Sequence, residues 1–346
     1  MVSGAVGASA GPLGVAVIGC GLIGRRRAAT AAAHPETRLV AVVDADPVRA
    51  ADVARAYGGE VVSDWRAAVE RDDVAVVVVA TPNGFLREIG CAALERGKHV
   101  LLEKPMGRNL AEARALADAA RKSGRVLKIG FNHRYHPGLA RAIELVKTGR
   151  IGRIVAIRAR YGHGSRPGCE TEWRADPELA GGGELTDQGV HVADLIHAVA
   201  GMPRDAFAFL QTAVWRIAPL EDNAFGLFRF ADGAVAQLHV SMTQWKNLFS
   251  FEVYGELGSV TVEGLGGSYG TERLVVAHRN MNGGVPAMEE EEYPGEDVSW
   301  REEWEDFIAG VRTGRLAQGG PDDGVAAMRM IDALYRSAEM GKIVEV

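Results

Sequence analysis

The six residues Gly19-Cys20-Gly21-Leu22-Ile23-Gly24 stand where an apolar, β-branched run (13–19) gives way to an alanine-rich stretch with helical spacing (22–33). No other feature constrains the fold as much. G-x-G-x-x-G alone is a weak signal, because the chain holds 43 glycines in 346 residues and chance matches are expected. At a strand–helix junction the motif acquires a physical meaning. The first glycine makes the turn, the second lets backbone approach a pyrophosphate, and the third allows helix to pack closely on strand. Leu22, Ile23 and Gly24 then open a helix whose free N–H groups favour an anion. The competing reading is a tight turn with no ligand.

The alternation continues for about 130 residues. Runs at 39–44, 74–80, 99–102 and 126–129 read as further strands, and 47–57, 84–96 and 110–123 as helices, with Gly97 and Gly124 as stops. Strands alternating with helices imply right-handed crossovers and a doubly wound parallel sheet, and nearly continuous Val and Ile suits a sheet covered on both faces. The expectation is an α/β chain: a disordered tail over 1–12, an N-terminal Rossmann domain over 13–131, and a substrate-binding α/β domain over 132–346.

In that second part the rhythm changes. A helix at 136–148, a strand at 154–161, a glycine- and charge-rich loop and a helix at 185–200 come first. Closely spaced strands at 206–215, 224–230, 235–241, 249–254, 259–262 and 274–277 suggest a largely antiparallel open sheet. Four consecutive glutamates within 288–293 read as a solvated loop. Helices at 300–313 and 324–340 close the chain, the last expected to pack back on the first domain. No internal repeat is visible.

Composition narrows the function. Lys plus Arg number 39 and Asp plus Glu 45, a net charge of −6, which argues against a sequence-wide basic surface for nucleic acid or anionic lipid. Glycine has no every-third-residue period, so collagen is excluded. The densest apolar run, 74–80, is far short of a membrane span. Cys20, Cys91 and Cys169 are odd in number and scattered, which points away from a disulfide framework and toward a reduced, cytoplasmic setting.

Candidate chemistry gathers beyond the strand ends. Asp44 ends the second strand, twenty residues after Gly24, where a carboxylate can accept both ribose hydroxyls and repel a 2′-phosphate. This favours NAD over NADP, although Arg49 is near enough to serve a phosphate, and Asp44 can equally begin a turn with Asp46-Pro47. Thr81-Pro82-Asn83 and Glu103-Lys104-Pro105 follow two other strands, on the ligand side of such a sheet. In Gly181-Gly182-Gly183-Glu184-Leu185-Thr186-Asp187-Gln188-Gly189-Val190-His191, Asp187 and His191 are four apart and share one face of a helix. Histidine suits proton transfer near neutrality, and a nearby carboxylate can orient it; a purely structural Asp–His pair is the alternative. Asp194 continues that face with His197 somewhat off it, but nothing completes a ligand set, so no metal is expected. The loop from Tyr161 through His163 and Arg166 to Trp173 and Arg174 is rich in donors and suits a polyhydroxylated or anionic ligand.

Five ordered motifs together resemble the glucose–fructose oxidoreductase / inositol dehydrogenase (Gfo/Idh/MocA) family. They are Gly-Cys-Gly-Leu-Ile-Gly, Thr-Pro-Asn, Glu-Lys-Pro, Gly130-Phe131-Asn132-His133-Arg134 and the Gly-Gly-Gly…Asp187…His191…Asp194 stretch; the ending Tyr335-Arg336-Ser337-Ala338 agrees. The resemblance implies an NAD(P)-dependent oxidoreductase acting on CH–OH groups, with Lys104, Asp187 and His191 at the reacting centre. It implies Asn132 near the nicotinamide, Arg134 near the substrate, and a homodimer or homotetramer formed through the C-terminal sheet. Two positions depart from the family pattern: Leu86 and Arg27 stand where many relatives have histidine. The expected reaction is reversible oxidation of a secondary alcohol of a sugar, nucleotide-sugar, aminoglycoside-like glycoside or cyclitol. His191 oriented by Asp187 takes the proton and Lys104 stabilises the alkoxide, with the formal base left open between His191 and Lys104. An NAD-dependent glycoside hydrolase using transient sugar oxidation and a non-catalytic dinucleotide sensor are the alternatives.

Overall fold

The computed structural model describes residues 11–346; the expected tail falls mainly on residues 1–10, outside the described part. Six parallel strands form the first sheet: β1 (Leu13–Ile18), β2 (Thr37–Val43), β3 (Glu60–Val61), β4 (Val76–Val79), β5 (His99–Leu102) and β6 (Leu127–Ile129), in the order β3-β2-β1-β4-β5-β6. Helices α1 (Leu22–Ala33), α2 (Pro47–Tyr57), α3 (Trp65–Glu70), α4 (Asn83–Glu95) and α5 (Leu110–Ser123) connect them. Every residue of β4 is buried, as expected for a sheet covered on both sides. The order reverses between β1 and β4, which opens a crevice beyond their carboxyl ends. The short β3 and α3 lack the apolar runs that mark the other elements, and sequence spacing does not reveal them.

The second unit begins with α6 (Pro137–Lys147) and β7 (Ile154–Gly162), then α7 (Pro177–Ala180), α8 (Glu184–Asp187) and α9 (Gly189–Ala200). Its sheet continues with β8 (Asp205–Gln211), β9 (Asn223–Arg229), β10 (Val235–Ser241), β11 (Leu248–Gly255), β12 (Gly258–Glu263), β13 (Glu272–His278), β14 (Ala287–Tyr293) and, after α10 (Ser299–Thr313) and α11 (Pro321–Met340), β15 (Val344–Glu345). The order is β14-β13-β12-β11-β7-β10-β9-β8-β15, antiparallel except for the β7–β10 pair. Ile157, Ala159, Leu238, Val240 and Phe228 point to the core under α9 and α11, while Phe209, Phe225, Leu227 and Val235 remain exposed on the opposite face.

Three expectations are corrected. The glutamate run is a strand, not a loop: β14 pairs with β13 across Val275↔Glu290 and Val276↔Glu289. It is an edge strand exposed on both faces, so the carboxylates stay hydrated while the backbone completes its ladder, and their charge discourages edge-to-edge pairing. The helix expected at 185–200 is broken at Gln188. A continuous helix would bond His191 N–H to the Asp187 carbonyl; instead it bonds to the Gln188 carbonyl at 3.1 Å, and the Asp187 carbonyl accepts from Lys104 Nζ at 2.7 Å. The strand expected over 206–215 stops at Gln211, since the Ala213, Val214 and Trp215 N–H groups turn to donate to the Asp222 carboxylate.

Two late helices lie against the first unit. α11 packs on α5, and α10 lies on α1 with Trp304, Phe307 and Ile308 in one cluster with Val15, Val17, Val76 and Leu101. Trp304 is fully buried, and truncating such a ring removes its transfer free energy and leaves a cavity. Trp304→Ala is expected to lower unfolding free energy by about 3–5 kcal/mol, measured by urea denaturation; an unchanged midpoint would show that α10 is not part of the first unit's core.

Candidate active site

At the end of β1 the backbone forms a cradle. Gly19 has φ +94, and a Cβ there would lie 2.4 Å from the Ala80 carbonyl; a Cβ on Gly24 would lie 1.7 Å from the Gly19 carbonyl. Both positions therefore require glycine for packing. Gly21 is different: a Cβ there meets nothing within 4 Å, so its backbone faces open space. Gly21 is also the N-cap of α1 with no side-chain cap and no acidic residue in the first turn, which leaves the Leu22 and Ile23 end of the helix with free donors. This is the geometry a pyrophosphate needs, and the residues fit a dinucleotide. Asp44 lies beside the cradle, with Oδ2 accepting from Cys20 N–H (2.6 Å) and Oδ1 from Asp46 N–H (2.8 Å). Arg49 stands 3.4 Å from Oδ1. Cys20 is buried within this loop, and burial, then the Asp44 charge, push its thiol up to about 12, so it is inert. The Thr81 hydroxyl at the end of β4 is buried without a partner within the chain.

Beyond β5, Lys104 Nζ donates to Asp187 Oδ1 at 2.6 Å as well as to the Asp187 carbonyl. Arg174 Nε donates to the other carboxylate oxygen, Oδ2, at 2.9 Å, with its guanidinium over the Trp173 ring. Burial alone would raise the Asp187 pKa, but the Lys104 and Arg174 charges outweigh it and hold the carboxyl well below the usual range. His191 is buried, and burial, then the nearby Lys104 charge, lower its pKa well below 6.5; the ring is neutral and its Nδ1 has no partner within the chain. The ring stacks on His133 with centroids 3.8 Å apart and meets the Phe131 edge at 6.3 Å. Both oxygens of Asp187 are thus committed elsewhere, and the ring is oriented by His133 and Phe131 rather than by Asp187.

The structure brings together Lys104, Asp187, His191, Arg174 and, on the far side, His163. His163 Nδ1 accepts from Ser165 N–H at 2.9 Å, which leaves the proton on Nε2. Other candidates are occupied. The Asn83 amide donates to the Ala180 carbonyl, the Asn132 amide to the Ser299 hydroxyl, and Glu103 accepts from Arg27. Pro82 serves as N-cap of α4. Arg134, expected near the substrate, is instead 3% exposed and held by Asp194 through two bonds of 2.7 and 2.6 Å and by Asp323 at 3.0 Å. A guanidinium so enclosed is a structural tie, because freeing it would strand two carboxylates. His133, Glu184, Gln188 and Tyr269 line the same region without having been singled out as site residues. His133 lies inside one of the five motifs, and Glu184 stands three residues before Asp187 and four before Gln188, a helical spacing that periodicity could have supplied.

The chain was compared with known proteins. Residues 13–131 match the model described as the oxidoreductase family, NAD-binding Rossmann fold, and 139–261 the model for the GFO/IDH/MocA C-terminal domain. The chain belongs to the Gfo/Idh/MocA oxidoreductase family. It is an NAD(P)-dependent enzyme acting on CH–OH groups. Similar proteins include D-glucoside 3-dehydrogenase of Escherichia coli, 31% identical over 363 residues that cover 97% of this chain and 98% of that one. Similar structures include GenD2 from gentamicin A biosynthesis in complex with NAD (TM-score 0.84, 31% identity, 97% of each chain). Levoglucosan dehydrogenase in complex with NADH and L-sorbose superposes with a TM-score of 0.89 at 27% identity, over 97% of this chain and 99% of that one.

Within this oxidoreductase, two variants separate chemistry from architecture. Arg134→Ala is expected to cost about 3–5 kcal/mol of folding stability by leaving buried carboxylates unpaired, with KM of the folded enzyme unchanged. Asp187→Ala, which frees Lys104 and Arg174, is expected to lower kcat by about 10²–10³-fold and to leave the urea midpoint nearly in place. Steady-state kinetics beside urea titration reads both, and an Arg134 variant that is stable but has lost substrate affinity reverses the assignment.

Proposed function

We propose that this protein is an NAD-dependent dehydrogenase that reversibly oxidises a secondary alcohol of a sugar-class substrate to a ketone. The substrate class is a glycoside, nucleotide-sugar, aminoglycoside-like glycoside or cyclitol. The observation that carries the reading is the neutral His191 ring beside the Lys104 ammonium, at the carboxyl ends of strands that also present the Gly19–Gly24 cradle. A bound nicotinamide dinucleotide supplies the hydride acceptor. The neutral His191 ring accepts the hydroxyl proton, and the N–H of Lys104 not used by Asp187 donates to the oxygen as its negative charge develops. Asp187 keeps the ammonium aimed and fixes Arg174 over the cleft. Asp44 supports NAD over NADP, since its carboxylate would repel a 2′-phosphate and Arg49 is drawn onto it. The names of the similar enzymes, a glucoside dehydrogenase and a levoglucosan dehydrogenase, support the sugar class.

The three cysteines are unpaired, which supports a reducing, cytoplasmic setting. Among the described residues no helix is long and apolar enough to cross a membrane. The apolar side chains of Phe209, Phe225, Leu227 and Val235 on the open sheet face support a homodimer or homotetramer built there. Phe209→Asp is expected to sediment as a smaller species than the parent protein.

Screening NAD and NADP reduction against sugars, glycosides, nucleotide sugars and cyclitols tests the activity. Net NADH is expected, with Lys104→Ala and His191→Ala each losing about 10²-fold or more in kcat. Release of an aglycone without net NADH, or no turnover of any alcohol by folded protein, would sink the reading. The pH profile adds a second check. A lowered imidazole pKa means His191 binds a proton only in acid, so its accepting form persists through neutrality. The acid limb of kcat/KM for oxidation is expected below pH 6.5, and an acid limb above that value contradicts a buried neutral base.

A further inference from the structure

Glu184 is 2% exposed, and its Oε1 has no hydrogen-bond partner within the chain. One turn later, Gln188 donates its amide N–H to the Tyr269 hydroxyl at 3.3 Å, while its Oε1 is buried without a partner. The Gln188 N–H bonds to the Glu184 carbonyl at 2.9 Å, so the two side chains leave the same side of the α8–α9 junction. Two acceptors without hydrogen-bond donors therefore stand one helical turn apart, about 6 Å in backbone rise, in the segment that also carries Asp187. The cations nearby are already engaged: Lys104 and Arg174 each take one oxygen of Asp187. The nearest ring nitrogen, His163 Nε2, is 3.7 Å from Glu184 Oε1, too far for a hydrogen bond.

A buried carboxyl oxygen with no hydrogen-bond donor is costly. Burial, then the neighbouring Asp187 charge, push the Glu184 pKa well above the ordinary carboxylate range, and the Lys104 and Arg174 charges, already directed at Asp187, oppose this without cancelling it. A hydroxyl brings a single donor to such a place, whereas an ammonium brings three donors, no acceptor and a positive charge. Tyr161 and Tyr269 form the aromatic wall on the sheet side, their rings in edge contact at 5.5 Å.

We propose that Glu184 and Gln188 form an ammonium subsite, and that the preferred substrate is an amino sugar glycoside with a protonated amine directed at Glu184 while its carbinol reacts at His191 and Lys104. This rests on the dehydrogenase reading above and sharpens its substrate class. Glu184 is then a specificity-determining residue that takes no part in proton or hydride transfer.

The test uses the enzyme with NAD at a pH where the amine is protonated. Methyl glucoside is compared with methyl glucosides in which the C2, C4 or C6 hydroxyl is replaced by an amine. At least one amino member is expected to exceed the parent glycoside by about tenfold in kcat/KM. Glu184→Gln, an isosteric change, is expected to remove most of that preference and to leave the parent glycoside within about threefold. Gln188→Leu serves as a second probe with the same direction if Glu184→Gln folds poorly. Turnover of the glycosides with no amino preference, or a preference that survives both substitutions, overturns this inference alone. Absence of NADH from every glycoside overturns the dehydrogenase reading beneath it.

Discussion

One side chain organises the site: Lys104, at the end of β5, donates to both the carboxylate and the backbone carbonyl of Asp187. The carboxylate bond fixes charge, while the carbonyl bond lies where the helix divides into α8 and α9, with the His191 N–H bonded to the Gln188 carbonyl. The break separates the directions of Asp187 and His191, so one faces the lysine and the other lies flat on His133. A strand end of one sheet thus meets a helix that packs on the other, and the reacting groups of both units meet at a single junction.

That junction holds its geometry because the units are tied by buried charge. Arg27, on α1, is fully enclosed between Glu103 after β5 and Glu303 on α10, at 2.7 and 2.6 Å. Lys128 on β6 donates to Asp306 on α10 and to the Tyr135 hydroxyl, and Arg134 ties α9 to α11 through Asp194 and Asp323. Desolvating so many ions gains little net stability, and an apolar core of equal volume would serve stability as well. What such pairs supply is direction, because each bond tolerates only a narrow range of positions. Arg27 gives the chain one fixed tie between α1, the end of β5 and α10.

The features legible in the sequence were those with a local physical signature. α1, α2 and α5 have the bounds that their spacing predicts, since apolar period and glycine stops act within a few residues. Asp187 and His191 stood out by residue type and four-residue spacing and Lys104 by its place at a strand end, while their joint role came from the family resemblance. What could not be read depended on partners distant in the chain. Arg134 looks like a free cation until Asp194 and Asp323, 60 and 189 residues away, are folded onto it. The four glutamates become a strand only because β13 offers an edge, and Asn83 and Asn132 are claimed by acceptors that no window includes.

These contacts also decide how the proposed reaction divides between the two candidate bases. A lysine ammonium has three donors and no acceptor. Two of those donors are spent on Asp187, which leaves one for a substrate oxygen and holds the positive charge where negative charge develops. His191 has the opposite endowment: a neutral ring with an unshared nitrogen, kept uncharged by burial and by that same lysine. Placing a cation beside a histidine disfavours the imidazolium, so the proton taken from the alcohol is held weakly and passes on readily. In the proposed reaction Lys104 would thus serve as electrostatic stabiliser and His191 as acceptor, and exchanging the roles would require the lysine to give up a bond to Asp187.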